Sequence, residues 1–308
     1  ERTVRRLGVG IIGTGWVSGE YIKAFERHPR CEIVAIHSRR KSRASEKAAE
    51  HGLENCQPFT DLKAMLRHRE LDIVVICTPN HLHAEQGTAA ARAGKHVIIE
   101  KPAAIDLPSL RKLDTAIEKA GVKSIVSFVL RWNPMFNNIR AMIDQRLIGD
   151  IFYAEVDYMH EIDVTQRDRG WHNKKDRGGS ALLMAGCHAV DGLRWFVQDE
   201  AVEVTAYSSR SKANRLRFEY DPNIVTIIQF AGGAVGKIGC SLETPMPYVY
   251  RVELLGDKGT IRDNQIFTTA WPGQQDWAVI PAISPNSGDV AHHPFADEVE
   301  HFVECILQ

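Results

Sequence analysis

The chain has 308 residues, enough for about two domains, and its 44% apolar and 25% charged content is that of an ordinary globular protein. Its 38 Lys and Arg balance 39 Asp and Glu to a net charge of -1, which leaves no basic excess for a phosphate backbone and speaks against a nucleic-acid partner. No apolar run approaches the roughly 18 residues of a membrane span, no secretory apolar region follows Glu1, and six scattered cysteines without C-x-x-C spacing read as buried thiols of a reducing, cytoplasmic compartment.

Leu7 to Ile12 is the first expected strand. It runs into Gly13-Thr14-Gly15-Trp16-Val17-Ser18 and a helix through Phe25. Gly8, Gly10 and Gly13 match G-x-G-x-x-G by letter but lie inside the strand. Gly13, Gly15 and Ser18 fall at the strand-to-helix turn, where the motif has a physical purpose: a tight turn at Gly13, and backbone N–H groups brought close to a pyrophosphate at Gly15. The competing reading is a plain glycine turn. The second strand, Glu32 to Ile36, ends in His37-Ser38-Arg39-Arg40-Lys41-Ser42-Arg43. No acid stands there for ribose hydroxyls, and small polar and basic residues favour a 2′-phosphate, hence NADP over NAD. The alternative is a solvated basic helix start capped by Ser42.

Thr60-Asp61 caps a helix whose Leu62, Met65 and Leu66 make a core stripe. Ile73 to Cys77 is an apolar run suited to a strand buried on both faces. Thr78-Pro79-Asn80 follows it, then an alanine-rich helix from Leu82 to Ala93 and Gly94 as its cap. Val97-Ile98-Ile99 is another buried run, ending in Glu100-Lys101-Pro102. In an open parallel sheet ligands gather at the carboxyl ends of strands, which makes Lys101 a candidate for chemistry, although most lysines are solvated charges. Asp106-Leu107-Pro108 opens a helix, and Val122 to Leu130 reads as a strand. Alternating strands and helices over residues 1–130 predict a doubly wound parallel sheet of the Rossmann type.

Residues 131–308 read differently. After a helix from Pro134 to Leu147, strands are expected at Ile151 to His160, Val202 to Ser208, Ile224 to Phe230, Ala234 to Cys240, Val249 to Leu255, Thr260 to Arg262 and Ile266 to Trp271. Ala231-Gly232-Gly233 and Gly256-Asp257-Lys258-Gly259 are hairpin turns. This predicts an α+β domain with an open, mainly antiparallel sheet, a face suited to a homodimer or homotetramer. A helix from Ser180 to Phe196 interrupts the strands and puts Met184, His188, Asp191 and Trp195 on one face. A histidine so placed is more often structural than catalytic. Gly178 and Gly179 allow close approach to its start.

Together, Gly13-Thr14-Gly15, Thr78-Pro79-Asn80 with His83, Ala93-Gly94-Lys95-His96-Val97, Glu100-Lys101-Pro102, and Gly178-Gly179 followed by Gly186, His188 and Asp191 resemble the glucose–fructose oxidoreductase, inositol dehydrogenase and MocA family over most of the chain. The resemblance implies hydride transfer between NAD(P) and a sugar or cyclitol. It assigns Lys101 and His188 to the family's lysine and histidine beside the nicotinamide. Cofactor contacts are expected from Gly13, Gly15, Trp16, Ser38, Arg39, Arg43, Thr78, Pro79, Asn80, His83, Glu100 and Lys101. Substrate contacts are expected from Lys101, Tyr158, His172, Met184 and His188. Oxidising an alcohol needs a base for its proton, a role that suits His188, and a cation for the developing oxyanion, a role that suits Lys101.

Two departures stand out. Where the family carries an acid four residues before the histidine, this chain has Met184; Tyr158, His160, His172 and Lys175 are the candidates to replace it. The helix from Phe295 to Gln308 usually continues further in the family, so terminal residues are expected to be missing. Glu155, Asp157, His160 and His188 lack metal-ligand spacing, and no metal is expected. A non-catalytic cofactor-binding sensor and an NAD-dependent glycosidase on the same scaffold are the alternative functions.

Overall fold

The structure is a computed structural model that describes residues 5–164, 170–282 and 293–308. The chain divides into two units: Glu1–Ser127 with Asp176–Gly178 and Pro294–Gln308, and Phe128–Lys175 with Gly179–His293.

The first unit alternates strands and helices: β1 (Leu7–Ile12), α1 (Trp16–Arg27), β2 (Cys31–His37), α2 (Lys41–Glu50), β3 (Gln57–Phe59), α3 (Leu62–Leu66), β4 (Leu71–Ile76), α4 (His83–Arg92), β5 (His96–Glu100), α5 (Leu107–Ala120) and β6 (Ser124–Ser127). The sheet order is β3-β2-β1-β4-β5-β6, every neighbouring pair parallel. Val9, Ile11, Ile12, Ile73 to Ile76, Val97 and Ile98 are fully buried, as unbroken β-branched runs must be when helices cover both faces. The strand order turns back between β1 and β4, so their carboxyl ends open a crevice there.

The second unit holds α6 (Pro134–Asp144), β7 (Ile151–Met159), most of its framing loops, and the first residue of the short α7 (Lys175–Gly178). A wide π turn (Leu182–Gly186) leads into α8 (Cys187–Val197). Then come β8 (Ala201–Ser209), β9 (Asn223–Phe230), β10 (Val235–Ser241), β11 (Val249–Gly256), β12 (Gly259–Arg262), β13 (Gln265–Thr268) and β14 (Ala278–Val279). The sheet runs β14-β13-β12-β11-β7-β10-β9-β8. Its pairs are antiparallel except β7 with β10. Phe136 and Ile139 of α6 and Leu193 and Phe196 of α8 form one core with Val156, Ile238, Val252 and Leu254 from the inward face of the sheet.

The last helix, α9 (Phe295–Leu307), belongs to the first unit and packs on α1. Phe295 meets Tyr21 edge-on at 4.9 Å, and Phe295, Val299, Phe302 and Val303 are buried.

Three expectations differ in detail. The strand expected from Val122 to Leu130 is confined to Ser124–Ser127, and a 3-10 turn takes Val129–Trp132. The strand expected to reach Trp271 stops at Thr268, where the Gln274 side chain accepts the Thr268 N–H at 2.9 Å and closes a turn. The helix expected from Ser180 begins instead with the π turn, whose last residue, Gly186, lies so close to β10 that an added Cβ would stand 3.0 Å from Cys240 Sγ.

Candidate functional site

Gly13 has φ +104°, and a Cβ there would stand 2.4 Å from the Cys77 carbonyl oxygen. Both facts demand glycine at this turn. Gly15 caps α1 with nothing within 4 Å of where its Cβ would stand, so the helix N-terminus presents open backbone N–H groups. Ser18 is fully buried, and its hydroxyl donates to the Gly15 carbonyl at 2.6 Å. It does the small-residue packing expected of a third glycine. Trp16, the first residue of α1, is 51% exposed beside this turn. This cradle fits a dinucleotide pyrophosphate by shape and by dipole.

The other predicted cofactor residues of the first unit lie at the same edge. Ser38 and Arg39 follow β2, and Arg43 lies in the first turn of α2, 3.9 Å from Glu46. His81, just past β4, has its pKa lowered by partial burial and by the Arg177 and Arg39 guanidinium groups. Thr78 donates to Gln86 at 2.6 Å, and Asn80 Nδ2 donates to the Gly178 carbonyl at 3.1 Å. His83 is buried between the Pro102 and Thr78 carbonyl oxygens, at 2.7 and 2.6 Å. It thereby ties the Thr78-Pro79-Asn80 loop to the loop after β5. These acceptors favour a protonated ring, but burial is the larger effect and the net shift of its pKa is downward. Glu100, at the end of β5 beside Lys101, has its carboxyl pKa raised by burial, against the pull of the Lys101 ammonium.

In the second unit, His188 sits in the first turn of α8, stacked on the Tyr158 ring at 6.0 Å and 13° and touched edge-on by Phe128 at 5.9 Å. The Tyr250 hydroxyl donates to the His188 carbonyl at 2.9 Å. Tyr158 continues the cluster to His160 and Tyr248, with ring centroids at 5.4 and 5.2 Å. Its hydroxyl lies 3.3 Å from His160 Nε2, and burial holds its pKa well above the ordinary tyrosine value. Arg131 clasps Asp191 through two hydrogen bonds of 2.8 and 2.9 Å and lies over the Trp195 ring. His188, Asp191 and Trp195 line one small recess with Arg131, whereas Met184, in the π turn, belongs to the apolar core. His172 lies against Trp171, and its carbonyl accepts from Tyr220.

Residues 7–128 match the GFO/IDH/MocA oxidoreductase family with its NAD-binding Rossmann fold, and residues 136–262 match the C-terminal domain of the same family. The chain belongs to this family. It is an NAD(P)-dependent oxidoreductase, as the family's description states, and the glycine turn accords with its dinucleotide-binding fold. Among its GFO/IDH/MocA relatives, the uncharacterized oxidoreductase YrbE of Bacillus subtilis (strain 168) is 28% identical over 283 residues, 89% of this chain and 79% of that protein. Inositol 2-dehydrogenase of Rhizobium meliloti (strain 1021) is 26% identical over 302 residues, 96% of this chain and 88% of that one. The crystal structure of the WlbA dehydrogenase from Bordetella pertussis, in complex with NADH and UDP-GlcNAcA, superimposes with a TM-score of 0.82 at 26% identity, covering 99% of this chain and 89% of that one.

Within this GFO/IDH/MocA chain, sequence reading passed over Glu298, which is fully buried on α9 and bonded to Ser127. Its signal was present: position 298 lies on the stripe of Phe295, Val299 and Phe302, where an acid is out of place.

Proposed function

We propose that this oxidoreductase prefers NADP and acts on a hydroxyl of a sugar, sugar derivative or cyclitol, or on the corresponding carbonyl. The observation that carries the reading is the carboxyl edge of the first unit's sheet. The Gly13–Gly15 cradle, the basic tip of β2 and Lys101 all stand there, where an open parallel sheet binds its ligands. The NADP preference rests on Ser38, Arg39 and Arg43 in place of a ribose-binding acid. The substrate class rests on the relatives named for inositol and on the hydrogen-bonding aromatic groups around His188.

In this mechanism the bound cofactor supplies the hydride acceptor or donor. His188 takes the hydroxyl proton, and the Lys101 ammonium stabilises the oxygen as negative charge develops. Gly13, Gly15, Thr78, Pro79 and Asn80 hold the dinucleotide. Tyr158 keeps its own proton and, with His160, supplies the polar contact that Met184 cannot. In the reductive direction His188 and Lys101 return the proton and polarise the carbonyl. Oligomerisation through the second unit's sheet completes the proposal. No observation on the described residues favours the sensor or the glycosidase.

The test is turnover with NADP and NAD on a panel of inositols and aldoses. The expected result is a kcat/KM at least about tenfold higher with NADP, a preference of roughly 1.4 kcal/mol. Failure to bind either cofactor ends the reading.

A further inference from the structure

The buried interior of the first unit contains two carboxyls and two hydroxyls in a row. The Tyr21 hydroxyl stands 3.0 Å from Glu100 Oε1 and 2.6 Å from Ser127 Oγ, and Ser127 Oγ stands 2.8 Å from Glu298 Oε2. These are three oxygen–oxygen contacts at hydrogen-bond distance, and each needs a proton. Two ionised carboxylates accept only. The two hydroxyls bring one proton each, so the row is one proton short unless a carboxyl is protonated.

We propose that Glu298 carries that proton in the folded protein, as a neutral acid that donates through Ser127 and Tyr21 to the Glu100 carboxylate and so positions the Glu100–Lys101 corner. The direction of the row follows from its ends. Glu100 lies beside the Lys101 ammonium and accepts the Lys101 backbone N–H, both of which favour its ionised form. Among the described residues, no cation is turned toward Glu298. The titratable groups turned toward it are Glu100 on β5, Tyr21 on α1 and the Cys77 thiol just after β4. On α9 itself, Asp297 and Glu300 flank it, and Glu300 pairs with His28 at 3.2 Å. Glu298 is fully buried, and its Oε1 has no hydrogen-bond partner among the described residues. An anion there would carry the full cost of burial. Burial also lifts its pKa to about 8.

Three measurements test this. Infrared spectra at neutral pH should show the C=O stretch of a buried carboxylic acid that is lost in Glu298→Gln. In Ser127→Ala, which removes its acceptor, the band should move to higher frequency. If the wild-type protein lacks the band, or if Glu298→Gln retains it, the proposal is overturned. Unfolding equilibria across pH should show the unfolding constant of the wild type rising relative to that of Glu298→Gln by about tenfold per pH unit from the ordinary 4.5 until the pH reaches about 8. A pH-independent ratio also overturns it. The third measurement rests on Lys101 acting in catalysis. Tyr21→Phe should lower kcat several-fold with an unchanged KM for NADP, and Glu298→Gln, whose amide N–H can replace the acid proton, should retain kcat. Loss of kcat in Glu298→Gln with its fold intact overturns the positioning role. The first two measurements do not depend on Lys101, so they separate failure of this inference from failure of the proposed reaction.

Discussion

At the scale of single residues, the proposed site is tested most directly at Gly13 and Lys101. Gly13 combines φ +104° with a backbone carbonyl 2.4 Å from any added Cβ, and Cys77, which owns that carbonyl, is itself buried. Neither side can yield cheaply. Gly13→Ala is expected to cost roughly 1–3 kcal/mol in backbone strain before any clash is counted. It should also abolish cofactor binding, read by denaturation and by quenching of protein fluorescence on adding NADPH; a variant that binds normally contradicts the cradle assignment. Lys101 is a different case, because its proposed partner is an oxygen that becomes negative only during reaction. Lys101→Ala should therefore lower kcat by about 10²–10³-fold while cofactor affinity moves little. Steady-state kinetics with a parallel binding titration separates the two, and loss of affinity alone would reassign Lys101 to cofactor binding.

At the scale of elements, α9 shows what buries a helix and what that burial costs. Phe295, Val299, Phe302 and Val303 contribute roughly 1.5–3 kcal/mol each when fully buried, enough to carry one acid into the same seam. The consequence for pH follows from the sign of the shift. The folded-state pKa of Glu298, about 8, lies above the ordinary 4.5. Between those values the folded chain holds a proton that the unfolded chain has released, so stability falls as pH rises, by roughly 1.4 kcal/mol per pH unit at most. Glu100, also raised by burial, acts in the same direction. A wild-type protein whose stability rises through this window would contradict the assignment. The elements also show what a sequence makes legible. The runs at Ile73 and Val97 announce strands because burial on both faces leaves no choice of residue type. The hairpins at Gly233 and Gly256 announce themselves through their turns. The three residues of β3 carry no such pattern, and the π turn before α8 arises from the close fit of Gly186 against β10, a tertiary contact that periodicity does not encode. Glu298 was missed for a related reason. Its partner Ser127 is 171 residues away, and only their meeting makes the acid informative.

At the scale of the whole chain, the unanswered demand is the outer face of the second unit's sheet. On β8 and β9, Tyr207 faces Val225 and Thr205 faces Ile227 across the ladder. Tyr207, Val225 and Ile227 are all exposed, Tyr207 by 82%. The adjacent strands put Lys237 on that same face, bonded to Glu155 and Asp157 at 2.8 and 2.9 Å. An apolar strip beside a paired charge cluster suits a second copy of the same surface better than it suits water, since a two-fold axis sets each apolar strip and each cluster against matching chemistry. Ile227→Glu leaves the inward core untouched, and an exposed substitution of this kind ordinarily changes stability by no more than about 0.5 kcal/mol. If this face joins two copies, the variant places a charge in the buried strip and drives the protein to a single chain at concentrations where the wild type is dimeric or larger. Light scattering coupled to size exclusion reads the difference. A wild type already of single-chain mass, or a variant whose mass does not change, would mean that this face meets something other than itself.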